Sequence, residues 1–189
     1  MTKRKQIVVL LAGVLLLAGV AGTFAWLSVT GVLVNEFGIG SVTPSVDETL
    51  KNNVKSDVAI TNKGTAPAYL RVAVDIYWQD QNGARLWEEP VAGTDYTIEW
   101  GAVSDASATN SASSWVAASD GFYYWTSSVA PMGKTDVLIK RVSETKRDGK
   151  NLVVDISTQA IQSTPDDAVN DAWKCTVKNG VLVPPYGGA

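Results

Sequence analysis

The chain has no histidine among its 189 residues and only one cysteine, Cys175. Without histidine there can be no His-based catalytic triad, no His-ligated zinc and no ordinary acid–base group near neutral pH. A metalloprotease helix of the HExxH type is excluded for the same reason. A lone cysteine cannot form an internal disulfide, so Cys175 is either a buried thiol or a bridge between two chains. Cations are also scarce. Setting aside Lys3, Arg4 and Lys5, 13 Lys+Arg face 19 Asp+Glu, a net charge of about −6, which argues against nucleic acid as a partner. The carboxylates lack EF-hand spacing, so no metal is expected, and no other cofactor. Glu88-Glu89 reads as a solvated loop and Asp166-Asp167 as helix capping. Neither pair makes a case for an enzyme.

What the sequence does contain begins with a leader. The basic residues Lys3, Arg4 and Lys5 precede an apolar run over 7–20, and Ala21-Gly22-Thr23-Phe24-Ala25 supplies small residues at the positions a signal peptidase reads. Residues 1–25 are therefore expected to be a signal peptide cut between Ala25 and Trp26. The alternative is an uncleaved anchor, because 7–27 approaches the ~20 apolar residues that span a bilayer. Cleavage would make the protein extracellular or cell-surface, in contact with membrane only during export. The 164 residues that remain suit one domain and can build a core without disulfides.

Residues 26–42 form the next unit. Leu27, Val29, Leu33, Phe37 and Ile39 recur at odd positions, the alternation of a half-buried strand. Such a strand either opens its own domain or adds to the sheet of a neighbour. Residues 43–189 read as the folded domain. After a polar, turn-rich stretch over 42–53, strands are expected over 54–62 and 68–78. In the second, Leu70, Val72, Val74, Ile76 and Trp78 share one face and are assigned to the centre of the core. The opposite face is expected to be open to solvent. Further strands are expected over 84–87, 95–100, 115–117, 122–126, 135–142 and 152–162, with a long surface loop over 102–114. Thr164, Pro165 and the two aspartates predict a helix over 165–174 packed through Trp173. Asn179-Gly180 predicts a small hairpin before a loose tail over 184–189. The fold class is all-β, an antiparallel β-sandwich or jelly roll with one short helix.

Several stretches together resemble one family. They are Gly22-Thr23-Phe24-Ala25, Asn35-Glu36-Phe37 with Gly40 and Val42, the run TNKGTAPAYLRV over 61–72, Asp120-Gly121-Phe122-Tyr123-Tyr124-Trp125, and Gln159-Ala160-Ile161-Gln162 followed by Ala172-Trp173. The set is similar to the TasA, camelysin and BsaA group of exported proteins of Gram-positive bacteria, whose leaders are processed by the signal peptidase SipW. The resemblance implies a jelly-roll-like subunit of a fibre or biofilm matrix. In fibre-forming relatives the N-terminal strand freed by processing inserts into the next subunit, which on this chain is implied to be Trp26 to about Phe37. The partners implied are a second copy in a head-to-tail homopolymer, accessory matrix subunits and SipW. Two departures stand out. Met132-Gly133-Lys134 lies where relatives have Pro-Gly-Glu or Pro-Gly-Thr, and residues 175–189 run past the usual end. The protease activity described for camelysin-type relatives is not carried over to a chain without histidine.

Two groups admit a second reading. Tyr123, Tyr124 and Trp125 could stack on sugar, which would make the chain a monomeric secreted carbohydrate-binding or adhesion module; otherwise they are core. Arg71 either holds a carboxylate within the fold or meets a ligand.

Overall fold

A computed structural model describes residues 41–51, 54–145 and 149–186. The leader, the Ala25–Trp26 cleavage position and the strand residues Leu27, Val29, Leu33, Phe37 and Ile39 lie outside the described residues.

Eleven strands and one helix are described. In chain order they are β1 (Pro44–Lys51), β2 (Val54–Asn62), β3 (Ala68–Asp80), β4 (Tyr96–Trp100), β5 (Val103–Asp105), β6 (Trp115–Ala117), β7 (Tyr123–Val129), β8 (Ile139–Glu144), β9 (Lys150–Gln162), α1 (Asp167–Trp173), β10 (Thr176–Lys178) and β11 (Val181–Val183). A four-stranded sheet runs β1-β2-β8-β4 and a five-stranded sheet runs β5-β6-β7-β3-β9. Every pairing within them is antiparallel except β5 with β6. The fold is an all-β sandwich.

The longest ladder joins β3 to β9, from Ala68↔Gln162 to Asp80↔Lys150. Both strands alternate, so each offers an apolar face: Leu70, Val72 and Val74 on one, Leu152, Val154 and Ile156 on the other. These faces meet Val58 and Ile60 of β2 and Ile139 and Val142 of β8, with Trp115 and Trp125 edge-on to each other at 5.5 Å. Burying large side chains of this kind contributes ~1.5–3 kcal/mol each. Of the five residues expected at the core centre, Leu70, Val72 and Trp78 are buried, while Val74 and Ile76 are only half covered. The reason for that exception is a cleft, described below.

The other face of β3 is open to solvent at Asp75 but covered at its start. Tyr69 is buried with Tyr124, Val116, Val169, Trp173, Cys175 and Leu182 in a second apolar cluster. α1 and the β10–β11 hairpin form this cover. The hairpin turns at Asn179 and Gly180, both at positive φ (52° and 77°), as an Asn-Gly turn demands. The helix is shorter than expected. It begins at Asp167, its N-cap is Asp166 rather than Thr164, and the Asp166 side chain makes no capping bond. Its buried residues are Val169 and Trp173, so packing holds it where local signals do not.

Three other expectations are corrected. The stretch over 42–53 contains strand β1, an edge strand. Part of 102–114 is β5, and the remainder is pinned by Thr126, whose hydroxyl donates to Ser111 C=O (2.7 Å), and by Asn110, whose amide oxygen accepts the Ser107 N–H (2.9 Å). The tail is held as far as Pro185, whose carbonyl accepts the Ser119 N–H at 3.1 Å.

Candidate functional site

Two features of the sandwich carry functional interest: the point where the chain enters it, and an aromatic cleft.

The entry point is built by the turn after β2. Asn62 is fully buried. Its amide donates to Ala66 C=O (2.8 Å) and Val129 C=O (2.9 Å), and its side-chain oxygen accepts the Gly64 N–H (2.9 Å). Its own carbonyl accepts the Met132 N–H at 2.7 Å. The rigid turn then grips the start of the described chain. Thr65 N–H donates to Ser41 C=O and Lys63 N–H to Thr43 C=O, both at 2.7 Å, while Ser41 N–H donates to the Thr65 hydroxyl at 2.9 Å. Only glycine fits at position 64, because a Cβ there would meet the Ser41 carbonyl oxygen at 2.0 Å. The segment Asn62-Lys63-Gly64-Thr65, singled out in the sequence, is thus a clamp on residues 41–43. Beside it, the Asp47 carboxylate accepts from the Thr61 hydroxyl (2.6 Å) and pairs with Lys134 (3.2 Å). Both contacts hold its carboxyl below the usual carboxylate range, the hydroxyl bond contributing most.

The cleft has a volume of about 640 Å³ and lies along β3 from Val74 to Tyr77. Its origin is a gap in strand pairing. β7 accompanies β3 only as far as Val72↔Tyr123, and pairing on that side resumes at the Gln79↔Arg85 bridge. Leu86 N–H donates to Trp78 C=O (2.8 Å) and Asp80 N–H to Ala84 C=O (2.9 Å), so even-numbered backbone groups of β3 turn to this side. By the period of two, the N–H and C=O groups of Val74 and Ile76 face the cleft. Among the described residues no strand stands opposite them.

Aromatic rings surround this floor. Trp100 stacks on Tyr123 with centroids 4.7 Å apart and 28° between planes. Tyr96 and Ile98 continue the wall from β4. On the other side Arg85 forks onto Asp75 (2.5 and 3.2 Å) and lies 4.4 Å over the Tyr77 ring. Trp87 stands at the rim, fully exposed. Glu88 pairs with Lys150, and Glu89 completes the lining. The loop carrying Trp87 is anchored by buried Asp95, whose carboxylate accepts the Val91 N–H at 2.9 Å.

The aromatic run over 123–125 is therefore divided. Tyr124 and Trp125 are buried on opposite faces of the sheet, and only Tyr123 reaches the cleft. Arg71 is held inside the fold. Its guanidinium lies between Phe122 (4.0 Å) and Trp173 (4.7 Å), donates to Gln159 (2.8 Å) and the Tyr124 hydroxyl (3.0 Å), and sits 3.9 Å from Asp120. Trp87 as a cleft residue escaped the sequence reading, which placed it in a strand; an isolated aromatic next to charged residues and Pro90 was the available signal. Among the described residues no cluster of metal-ligating side chains occurs, and no helix is long and apolar enough to cross a membrane.

Burial also sets a pH dependence. The Cys175 thiol is pushed up to about 11, chiefly by desolvation. Tyr124 is raised by burial and by its hydrogen bond to Asp120, and Tyr69 and Tyr123 are raised by burial. All four groups are neutral in the fold and would ionise near 9 or 10 once exposed. Their contribution is complete below pH ~9 and is lost as pH rises through the folded values. Urea midpoints should therefore be flat from pH 7 to about 9 and fall above it. In Cys175→Ala the fall should begin about one pH unit later, with the tyrosines alone. An identical profile in the variant would show that the thiol has no part in it.

Comparison of the chain with family models, with curated proteins and with solved structures returned no match in any of the three.

Proposed function

We propose that this chain is a structural subunit of an extracellular fibre or biofilm matrix, polymerising when the N-terminal segment that carries Leu27, Val29, Leu33, Phe37 and Ile39 inserts into a neighbouring copy. The observation that supports it most is the clamp on residues 41–43. The turn over 62–66 fixes the point from which everything upstream must leave, so an insertion arm would have an anchored root. Each large apolar side chain buried on insertion would contribute ~1.5–3 kcal/mol, offset by ~1–2 kcal/mol for each backbone residue ordered. Head-to-tail addition does not close on itself and therefore gives filaments. The role is mechanical and requires no catalysis. It places the protein outside the cell, after processing by a SipW-type peptidase, with a second copy and accessory matrix subunits as partners.

Deleting residues 26–37 tests the reading. The shortened protein should run as a monomer in light scattering, and electron microscopy should find no filaments at concentrations where the parent forms them. Filaments from the deletion variant would end the insertion model. Mass spectrometry of the secreted parent should find Trp26 as its first residue, since a retained leader would leave the arm in the membrane.

A further inference from the structure

We propose that the cleft beside β3 is a binding site for a neutral glycan, independent of any assembly through residues 26–39. Sugar rings present flat C–H faces and a belt of hydroxyls. They are recognised by aromatic faces combined with planar hydrogen-bonding groups. The cleft supplies both. Trp87 offers a whole indole face to solvent, and the stacked Trp100–Tyr123 pair and Tyr96 line the interior. Single exposed apolar residues need no explanation; an exposed tryptophan at the mouth of an aromatic-lined cavity does.

The polar groups suit hydroxyls. The Asp75–Arg85 fork is preformed, and Arg85 is steadied by the Tyr77 ring beneath it. Glu89 lines the cleft within reach of the Arg85 charge and offers carboxylate oxygens that can accept from a hydroxyl. The backbone groups of Val74 and Ile76 add donors and acceptors at the floor. A volume of about 640 Å³ falls within the ~300–1,000 Å³ typical of small-ligand sites, room for a short oligosaccharide. Asp75, Glu88 and Glu89 outnumber Arg85 and Lys150, so an acidic polysaccharide would meet net repulsion.

The alternative occupant, an added β-strand, fits less well. The unpaired stretch lies between Val72 and Gln79 and is closed at one end by Tyr123 and at the other by the 84–86 return. It presents the polar groups of only two residues, while its outer wall carries charges where a strand would need apolar sockets.

The test is tryptophan fluorescence titration of the purified full chain with cellotetraose and with tetra-N-acetylchitotetraose, using polygalacturonate as the acidic control. At least one neutral probe should saturate the signal, and Trp87→Ala should weaken binding about tenfold or more, the usual scale for truncating an aromatic anchor. Glu89→Gln should also weaken it and, being a surface exchange, gives a second readout on a protein certain to fold. Binding followed by calorimetry guards against losing the signal with Trp87 itself. No binding of either neutral probe, equal binding by Trp87→Ala, or preference for polygalacturonate would overturn the proposal. So would binding of an extended apolar pentapeptide at the cleft in place of sugar. None of these outcomes bears on the deletion experiment, so the two readings stand or fall separately.

Discussion

Asn62→Ala is expected to destabilise the domain by about 3 kcal/mol, since two buried backbone groups and one partly buried one lose their partner at ~1–3 kcal/mol each. The three are Ala66 C=O, Val129 C=O and Gly64 N–H. No water can replace the amide easily, because the residue is fully buried. Asn62→Asp should be no better. It keeps an acceptor for Gly64 but turns carboxylate oxygens toward two carbonyls that need donors. Urea unfolding is the measurement: the midpoint should fall while the slope stays constant, as for a pure loss of stability. A loss below about 1 kcal/mol would mean the turn relaxes and pairs its groups elsewhere.

The second large effect is expected at Arg71. Arg71→Ala should destabilise by about 2–4 kcal/mol, combining lost charge-assisted hydrogen bonds with a desolvated cation–π contact. The side chain is 15% exposed and fills the space between Phe122 and Trp173. Its removal separates β3 from the loop at Asp120 and from α1 together. Arg71→Lys should recover little, because an ammonium cannot lie flat between two rings while donating to both Gln159 and Tyr124. A double cycle with Tyr124→Phe should give a non-additive term, since the two side chains share a hydrogen bond. Full additivity would mean that the rings, not the network, set the value.

Alternation is what makes β3 legible. Leu70, Val72, Val74, Ile76 and Trp78 recur at every second position of one strand. Tyr96, Ile98 and Trp100 were readable as one face for the same reason, and that face is the cleft wall. β1 was missed because Pro44–Lys51 carries only two large apolar residues, Val46 and Leu50, among charged ones. Edge strands are often written that way, to discourage pairing with other chains. β5 was missed because it is three residues long and pairs in parallel with β6, a choice that no local pattern announces. For Arg71 the sequence leaves a carboxylate partner and a ligand both open; the structure places its guanidinium 3.9 Å from Asp120 and closer to Gln159 and Tyr124. Part of the apolar cover over Tyr69 and Tyr124 is legible, since Trp173 is expected to pack the helix onto the sheet and does so; that Cys175 and Leu182 join it is not, because no local pattern fixes where the last hairpin folds back. The cleft is the same kind of object. Trp87, Trp100 and Tyr123 belong to three separate segments, and only the place where β7 stops beside β3 brings them together.

The clamp has a mechanical corollary. Traction on the chain ahead of Ser41 reaches the sandwich through bonds that include Thr65 N–H to Ser41 C=O, Lys63 N–H to Thr43 C=O and Ser41 N–H to the Thr65 hydroxyl. These bonds continue the β1–β2 ladder beyond Pro44↔Asn62 in the same register, so a pull loads that end of the hairpin first. Behind it a buried amide ties the same turn to the 129–133 loop, and the load passes through that turn into the second half of the chain.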